Sequence, residues 1–168
     1  MPGLRDATAR QTAIMDQAAV LAATLAARVS DNDAASVFPT ANFRDLHAAG
    51  YLRLGLPERF GGGGADVFEM TLAQEILGRA DASTALVAGM HYSLLGRVID
   101  NAAWPEDVLR ELCAAMDRTG GTINNCVTEA DLGSISRGGL PAMTAERADG
   151  GWRLTGRKIF VTGAPALR

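Results

Sequence analysis

The apolar pattern of this chain changes period at Gly120-Gly121. Before that point hydrophobic residues recur every three or four positions, the spacing of one helix face; after it the segments are short and strand-like. Such a chain has to build a helical layer first and a β unit second. The later strands follow one another with no helix between them, so the β unit should be antiparallel and not a Rossmann fold.

Within the helical part, Ile14, Ala18, Leu21, Leu25 and Val29 form one stripe, which predicts a helix from a cap at Asp6 to about residue 29. Ser30-Asp31-Asn32-Asp33 should end it, since these side chains compete for backbone hydrogen bonds. A short helix is expected over 41–49, with Phe43 and Leu46 inward and Gly50 as a left-handed C-cap. The run Gly61-Gly62-Gly63-Gly64 cannot sit in a stable helix or strand and reads as a flexible inter-helix turn. It lacks the Gly-Lys-Ser/Thr ending of a phosphate-binding loop. Asp66 and Glu69 make a capping box for a third helix reaching about residue 79. Asp81 can cap a fourth, through Leu86, Val87, Met90, Leu94, Leu95, Val98 and Ile99, with so few charges that it should be central and mostly buried. Pro105 suits the first turn of a fifth, striped by Val108, Leu109, Leu112 and Met116. Beyond Gly121, residues 122–127, 142–148, 152–155 and 158–162 read as strands, and Asp149-Gly150-Gly151 as a turn.

Composition narrows the function classes. The 168 residues suffice for one domain, or one domain and part of another, and 48% hydrophobic content can fill a core. A net charge of -3 and a pI near 5.3 offer no basic face for nucleic acid. No uninterrupted apolar run suggests a membrane span, and Met1-Pro2-Gly3-Leu4-Arg5-Asp6 lacks the order of a signal peptide. Cys113 and Cys126 have no metal-ligand spacing and are too few for a disulfide framework, so no metal is expected and a reducing, cytoplasmic setting is.

Four segments then carry a resemblance. They are Leu56-Pro57-Glu58-Arg59-Phe60-Gly61-Gly62, Ala80-Asp81-Ala82-Ser83-Thr84-Ala85-Leu86, Val127-Thr128-Glu129 with Gly133-Ser134, and Trp152-Arg153-Leu154-Thr155-Gly156-Arg157-Lys158-Ile159-Phe160-Val161-Thr162-Gly163. In this order and spacing they resemble the first part of the acyl-CoA dehydrogenase family. The resemblance implies a mainly α fold: an N-terminal helical domain over 1–120, then at 121–168 the first antiparallel strands of a β-barrel-like middle domain, truncated. The family's C-terminal helical bundle, with the glutamate that removes the substrate α-proton, has no counterpart, so no catalytic base is expected in this chain.

By the same resemblance the cofactor is FAD, touched by Val127, Thr128, Gly133, Ser134, Phe160, Val161 and Thr162. Thr162 would lie beside the flavin N5, Phe160 against the ring system, Thr128 at the pyrimidine end, and Ser134 near the pyrophosphate. Without the surrounding pattern, Thr128 and Thr162 are ordinary strand threonines. Leu86, Val87, Met90 and Leu94 would line the acyl pocket; their plain alternative is helix core. His91 is either a hydrogen-bonded core residue or, as in flavin monooxygenases of this fold, a group on the oxygen-reactive side of the flavin. Cys126 has no basic neighbour to activate it. The loop departs from the family at Ala130, Asp131, Leu132 and Ile135, which leaves the substrate class least defined. The implied activity is α,β-dehydrogenation of an acyl-CoA thioester in fatty acid metabolism, with an electron-transfer flavoprotein as electron acceptor and a homo-oligomer, dimer or tetramer, as the complete form. The rival readings are a flavin monooxygenase of the same fold and a non-catalytic helical interaction module.

Overall fold

The structure, a computed structural model, describes residues 7–131 and 138–167. Among them are α1 (Ala9–Ala35), α2 (Thr40–Ala48), α3 (Val67–Ala80), α4 (Ala82–Asp100), α5 (Glu106–Thr119), β1 (Thr144–Ala148) and β2 (Gly151–Thr155). This is the mainly α fold with a following antiparallel β unit that the change of period requires.

Asp6 lies outside the described residues; the cap of α1 is Thr8. Its hydroxyl accepts the Gln11 N–H at 3.1 Å while the Gln11 side chain accepts the Thr8 N–H at 3.0 Å, a reciprocal box that satisfies two orphan donors. The helix does not stop at 30–33 as expected. Ser30, Asp31 and Asp33 leave their side chains exposed, and the helix runs on until Ser36 turns it with a left-handed φ of 51°. Ile14, Ala18, Leu21 and Leu25 are buried as predicted, and this face packs on α3. By length and mean hydropathy, 1.2 over an 18-residue window, α1 is also apolar enough to cross a membrane, a property that core helices of folded domains share.

The capping box of α3 is present in both directions: Glu69 N–H to Asp66 at 2.8 Å and Asp66 N–H to Glu69 at 3.1 Å. Asp81 caps α4 through the Thr84 N–H at 3.0 Å, and its other oxygen accepts from Thr84 Oγ1 at 2.6 Å and Asn42 Nδ2 at 2.9 Å. Arg28 completes this network, donating to Asn42 Oδ1 at 3.1 Å and to Asp45 at 2.6 Å. Asn42, Asp81 and Thr84 are all buried, and their polar atoms satisfy one another, which is what makes a polar junction tolerable in a core.

The glycine run is a packed turn, not a flexible one. Gly63 N–H donates to the Arg53 carbonyl at 3.1 Å and Gly64 N–H to that of Leu56 at 2.8 Å. A Cβ at Gly62 would come within 2.1 Å of the Leu56 carbonyl oxygen, so only glycine admits this approach.

The β1–β2 hairpin pairs Thr144 with Thr155 through Ala148 with Gly151, around the turn at Asp149-Gly150. The expected strands at 122–127 and 158–162 do not form. In the first, the Ile123 N–H goes to a side chain, His91 Nδ1, and pairing is limited to one parallel bridge between Thr122 and Leu167. In the second, Phe160 takes a φ of 53°, which removes it from the extended region a ladder needs.

Candidate functional site

The two segments expected to hold a cofactor are distant in sequence and meet in space. Ile159 N–H donates to the Thr128 carbonyl at 2.9 Å, and Lys158 Nζ donates to Glu129 Oε1 at 2.7 Å. Asn124 Nδ2 holds the Thr162 carbonyl at 2.9 Å. Val127, Thr128, Val161 and Thr162 are half-buried at this junction, while Phe160 stands 87% exposed. Gly133 and Ser134 lie outside the described residues.

Helix α4 adjoins the junction. A Cβ at Gly163 would fall within 2.4 Å of Val87 Cγ1, so the second segment ends pressed onto this helix. His91 ties it to the stretch that leads into the first segment. Its Nδ1 accepts the Ile123 N–H at 3.1 Å, which leaves the proton on Nε2 to donate to the Leu52 carbonyl at 3.0 Å. His91 is fully buried, and burial pushes its imidazole down to about 4, against a smaller upward pull from the Leu52 carbonyl. It is therefore the hydrogen-bonded core histidine of the two expectations, neutral with both nitrogens engaged by backbone.

The predicted substrate residues do not share one environment. Leu86 is 59% and Met90 38% exposed, Leu94 is half-buried, and Val87 turns inward. Helix α4 is thus not mostly buried: Thr84, Ala88, His91, Leu95 and Val98 face the core, and the Leu86–Met90 edge faces out. Next to that edge, Gly89, Ser93 and Gly96 of α4 and Met70 and Gln74 of α3 line an open cleft of about 660 Å³. None of the predicted substrate residues lines it.

Glu129 and Lys158 carry no expected role of their own within the two segments. They are 8% and 17% exposed at the side chain and form an ion pair across the two segments. Lys158 first, then the Ala142 backbone N–H, holds the Glu129 carboxyl below the usual carboxylate range. The available signal was one unmatched acid and one unmatched base, each inside a segment expected to touch the same cofactor.

Comparison with known proteins agrees with this architecture. Residues 8–107 match the model of the acyl-CoA dehydrogenase N-terminal domain, and the chain belongs to the acyl-CoA dehydrogenase family. The Bacillus subtilis protein YdbM, assigned to the acyl-CoA dehydrogenases, is 41% identical over 82% of this chain and 36% of its own length. A solved structure described as the electron transferring flavoprotein of Acidaminococcus fermentans superposes with a TM-score of 0.78 at 26% identity, over 92% of this chain and 40% of that one. TdsC of Paenibacillus sp. A11-2, a dibenzothiophene monooxygenase solved with FMN and indole, gives a TM-score of 0.70 at 25% identity, over 88% of this chain and 34% of that one. The chain therefore spans well under half the length of the relatives it matches.

Proposed function

We propose that this chain supplies the flavin-facing and acyl-facing parts of an FAD-dependent acyl-CoA dehydrogenase. The reaction is oxidation of an acyl-CoA thioester to its trans-2-enoyl product, in a cytoplasmic homo-oligomer that passes electrons to an electron-transfer flavoprotein. Residues 1–120 would form its helical domain and 121–168 the start of its middle β domain. The observation that carries this reading is the junction itself: Thr128 and Ile159 are hydrogen-bonded at 2.9 Å, and Gly163 packs on the helix that bears Leu86 and Met90.

The residues present fit a flavin. Phe160 lifts an exposed aromatic face from a left-handed φ of 53°, a conformation of the kind that concentrates at functional sites. Half-buried Thr128 lies across the Ile159 hydrogen bond, and half-buried Thr162 stands two residues beyond Phe160. Thr128 and Thr162 would hydrogen-bond the edge of the ring system, Val127 and Val161 would pack beside it, and Phe160 would cover it, with Gly133 and Ser134 toward the pyrophosphate. A bound FAD would supply the two-electron acceptor for the substrate's β-hydride. Leu86, Met90 and Leu94 would present an apolar, water-poor edge to the acyl chain, with Val87 fixing that edge against Gly163.

The likeness to TdsC supports a monooxygenase as the second reading. His91 argues against it, because both ring nitrogens are held by Leu52 and Ile123 and none remains to face a ligand. The test is to load the purified protein with FAD, remove free cofactor, and add acyl-CoA without oxygen. A retained flavin whose visible bands acyl-CoA shifts supports the dehydrogenase, since the base needed to bleach it is not expected in this chain. A retained flavin whose bands acyl-CoA leaves unshifted, but that reacts rapidly with oxygen once reduced by dithionite, supports the monooxygenase. No retained flavin overturns flavin binding by this chain.

A further inference from the structure

Glu129 gathers two distant stretches of chain on one carboxylate. Lys158 Nζ reaches Oε1 at 2.7 Å, the Ala142 N–H reaches Oε2 at 2.7 Å, and the Met143 N–H reaches Oε1 at 3.2 Å. Glu129 itself is 6% exposed. From the other side, Lys158 Nζ also approaches the Val127 carbonyl at 3.4 Å, and the next residue, Ile159, makes the backbone bond to Thr128. The strands expected to hold these stretches together are absent at 122–127 and 158–162, so a side-chain clamp takes the place of a ladder. Close packing reinforces it: a Cβ at Gly156 would meet Met143 Cβ at 2.8 Å, which keeps the backbone before Lys158 against the residue that Glu129 holds.

We propose that Glu129, acting through Lys158, is the positioning residue that sets the two flavin segments in register, and that its charge is needed for this. The proposal rests on the flavin reading given above. An ionised carboxylate can accept from an ammonium and two backbone N–H groups at once, whereas a carboxamide carries no charge and brings two donors of its own to a site that already has three. Replacing it leaves Lys158 nearly buried without a counter-charge, and the segments must separate for the ammonium to find water.

The experiment compares wild type, Glu129→Gln and Lys158→Arg by two readouts: the FAD dissociation constant at neutral pH, and amide hydrogen exchange at Ala142, Met143 and Ile159. Glu129→Gln should weaken FAD binding by about tenfold or more, the scale of one unsatisfied charged group. It should also speed exchange at the three amides while leaving α1 and α3 protected. Lys158→Arg keeps the charge and should stay within about threefold of wild type, less than the worth of one ordinary hydrogen bond. The proposal is overturned if Glu129→Gln binds FAD with wild-type affinity and wild-type exchange at the three amides, or if Lys158→Arg is as weak as Glu129→Gln. Wild type that binds no FAD overturns the flavin reading itself, and the positioning role with it; the first two outcomes overturn the positioning role alone.

Discussion

In the helical body Leu25, Leu46, Leu77 and Leu95 are at most 2% exposed, whereas every residue of the β1–β2 hairpin is exposed, with Trp152 at 59% and Leu154 at 63%. The body is held by apolar burial. The region after Gly121 is held by a few polar attachments: Thr122 and Ile123 to Ala166 and His91, Asn124 to Thr162, and Glu129 to Lys158, Ala142 and Met143. Burial is non-directional and tolerates small shifts, while hydrogen bonds set position and lose their worth quickly when geometry slips. The candidate site sits where the two regimes meet, with a packed helix on one side and directed polar contacts on the other.

Four experiments break or sharpen this contrast. The largest effect is expected for Leu77→Ala, which opens a cavity in a fully buried position of α3 and should cost about 3 kcal/mol in denaturant unfolding. A cost under about 1 kcal/mol would mean that burial does not hold the body.

Acid should have an effect of similar size through His91. At neutral pH the imidazole is uncharged in both folded and unfolded chains. Below the ordinary value of about 6.5 the unfolded chain takes up a proton that folded His91 refuses until about 4, so stability falls as pH drops through that window. The loss should approach about 3 kcal/mol near pH 4 and be absent in a His91→Asn variant, measured by urea midpoints against pH. A pH-independent wild type would show that the histidine is not locked between Leu52 and Ile123.

Asp81→Ala should cost about 2 kcal/mol, since it removes the α4 cap and takes one of two acceptors from the buried Asn42 amide, leaving it Thr84 Oγ1. The smallest stability change is expected for Phe160→Ala, within about 0.5 kcal/mol for so exposed a residue, yet it should weaken FAD retention about tenfold. Equal effects of Phe160→Ala on stability and retention would erase the division between a scaffold and the surface it presents.

Much of the body was legible in sequence because its signals are local. The Asp66–Glu69 box, the Asp81 cap, the Gly50 and Gly120 turns and the buried stripe of α1 each depend on residues a few positions apart. The Thr8–Gln11 box was equally local and was missed because Asp6 offered a rival cap two residues earlier. The 30–33 run misled for a different reason: polar side chains can end a helix, but they need not when solvent satisfies them.

What sequence alone determined was the order of a helical layer and an antiparallel unit, and the two segments in which a cofactor site should be sought, since period, caps and motifs are properties of neighbouring residues. Which α4 residues face outward, the neutral tautomer of His91, the missing strands at 122–127 and 158–162, and the Glu129–Lys158 clamp were decided by tertiary structure. Each of these depends on where a distant backbone group or charge comes to rest. Thr122–Val127 carries strand-like residues, but a strand needs a partner for its N–H groups, and here the Ile123 N–H found an imidazole from α4 instead.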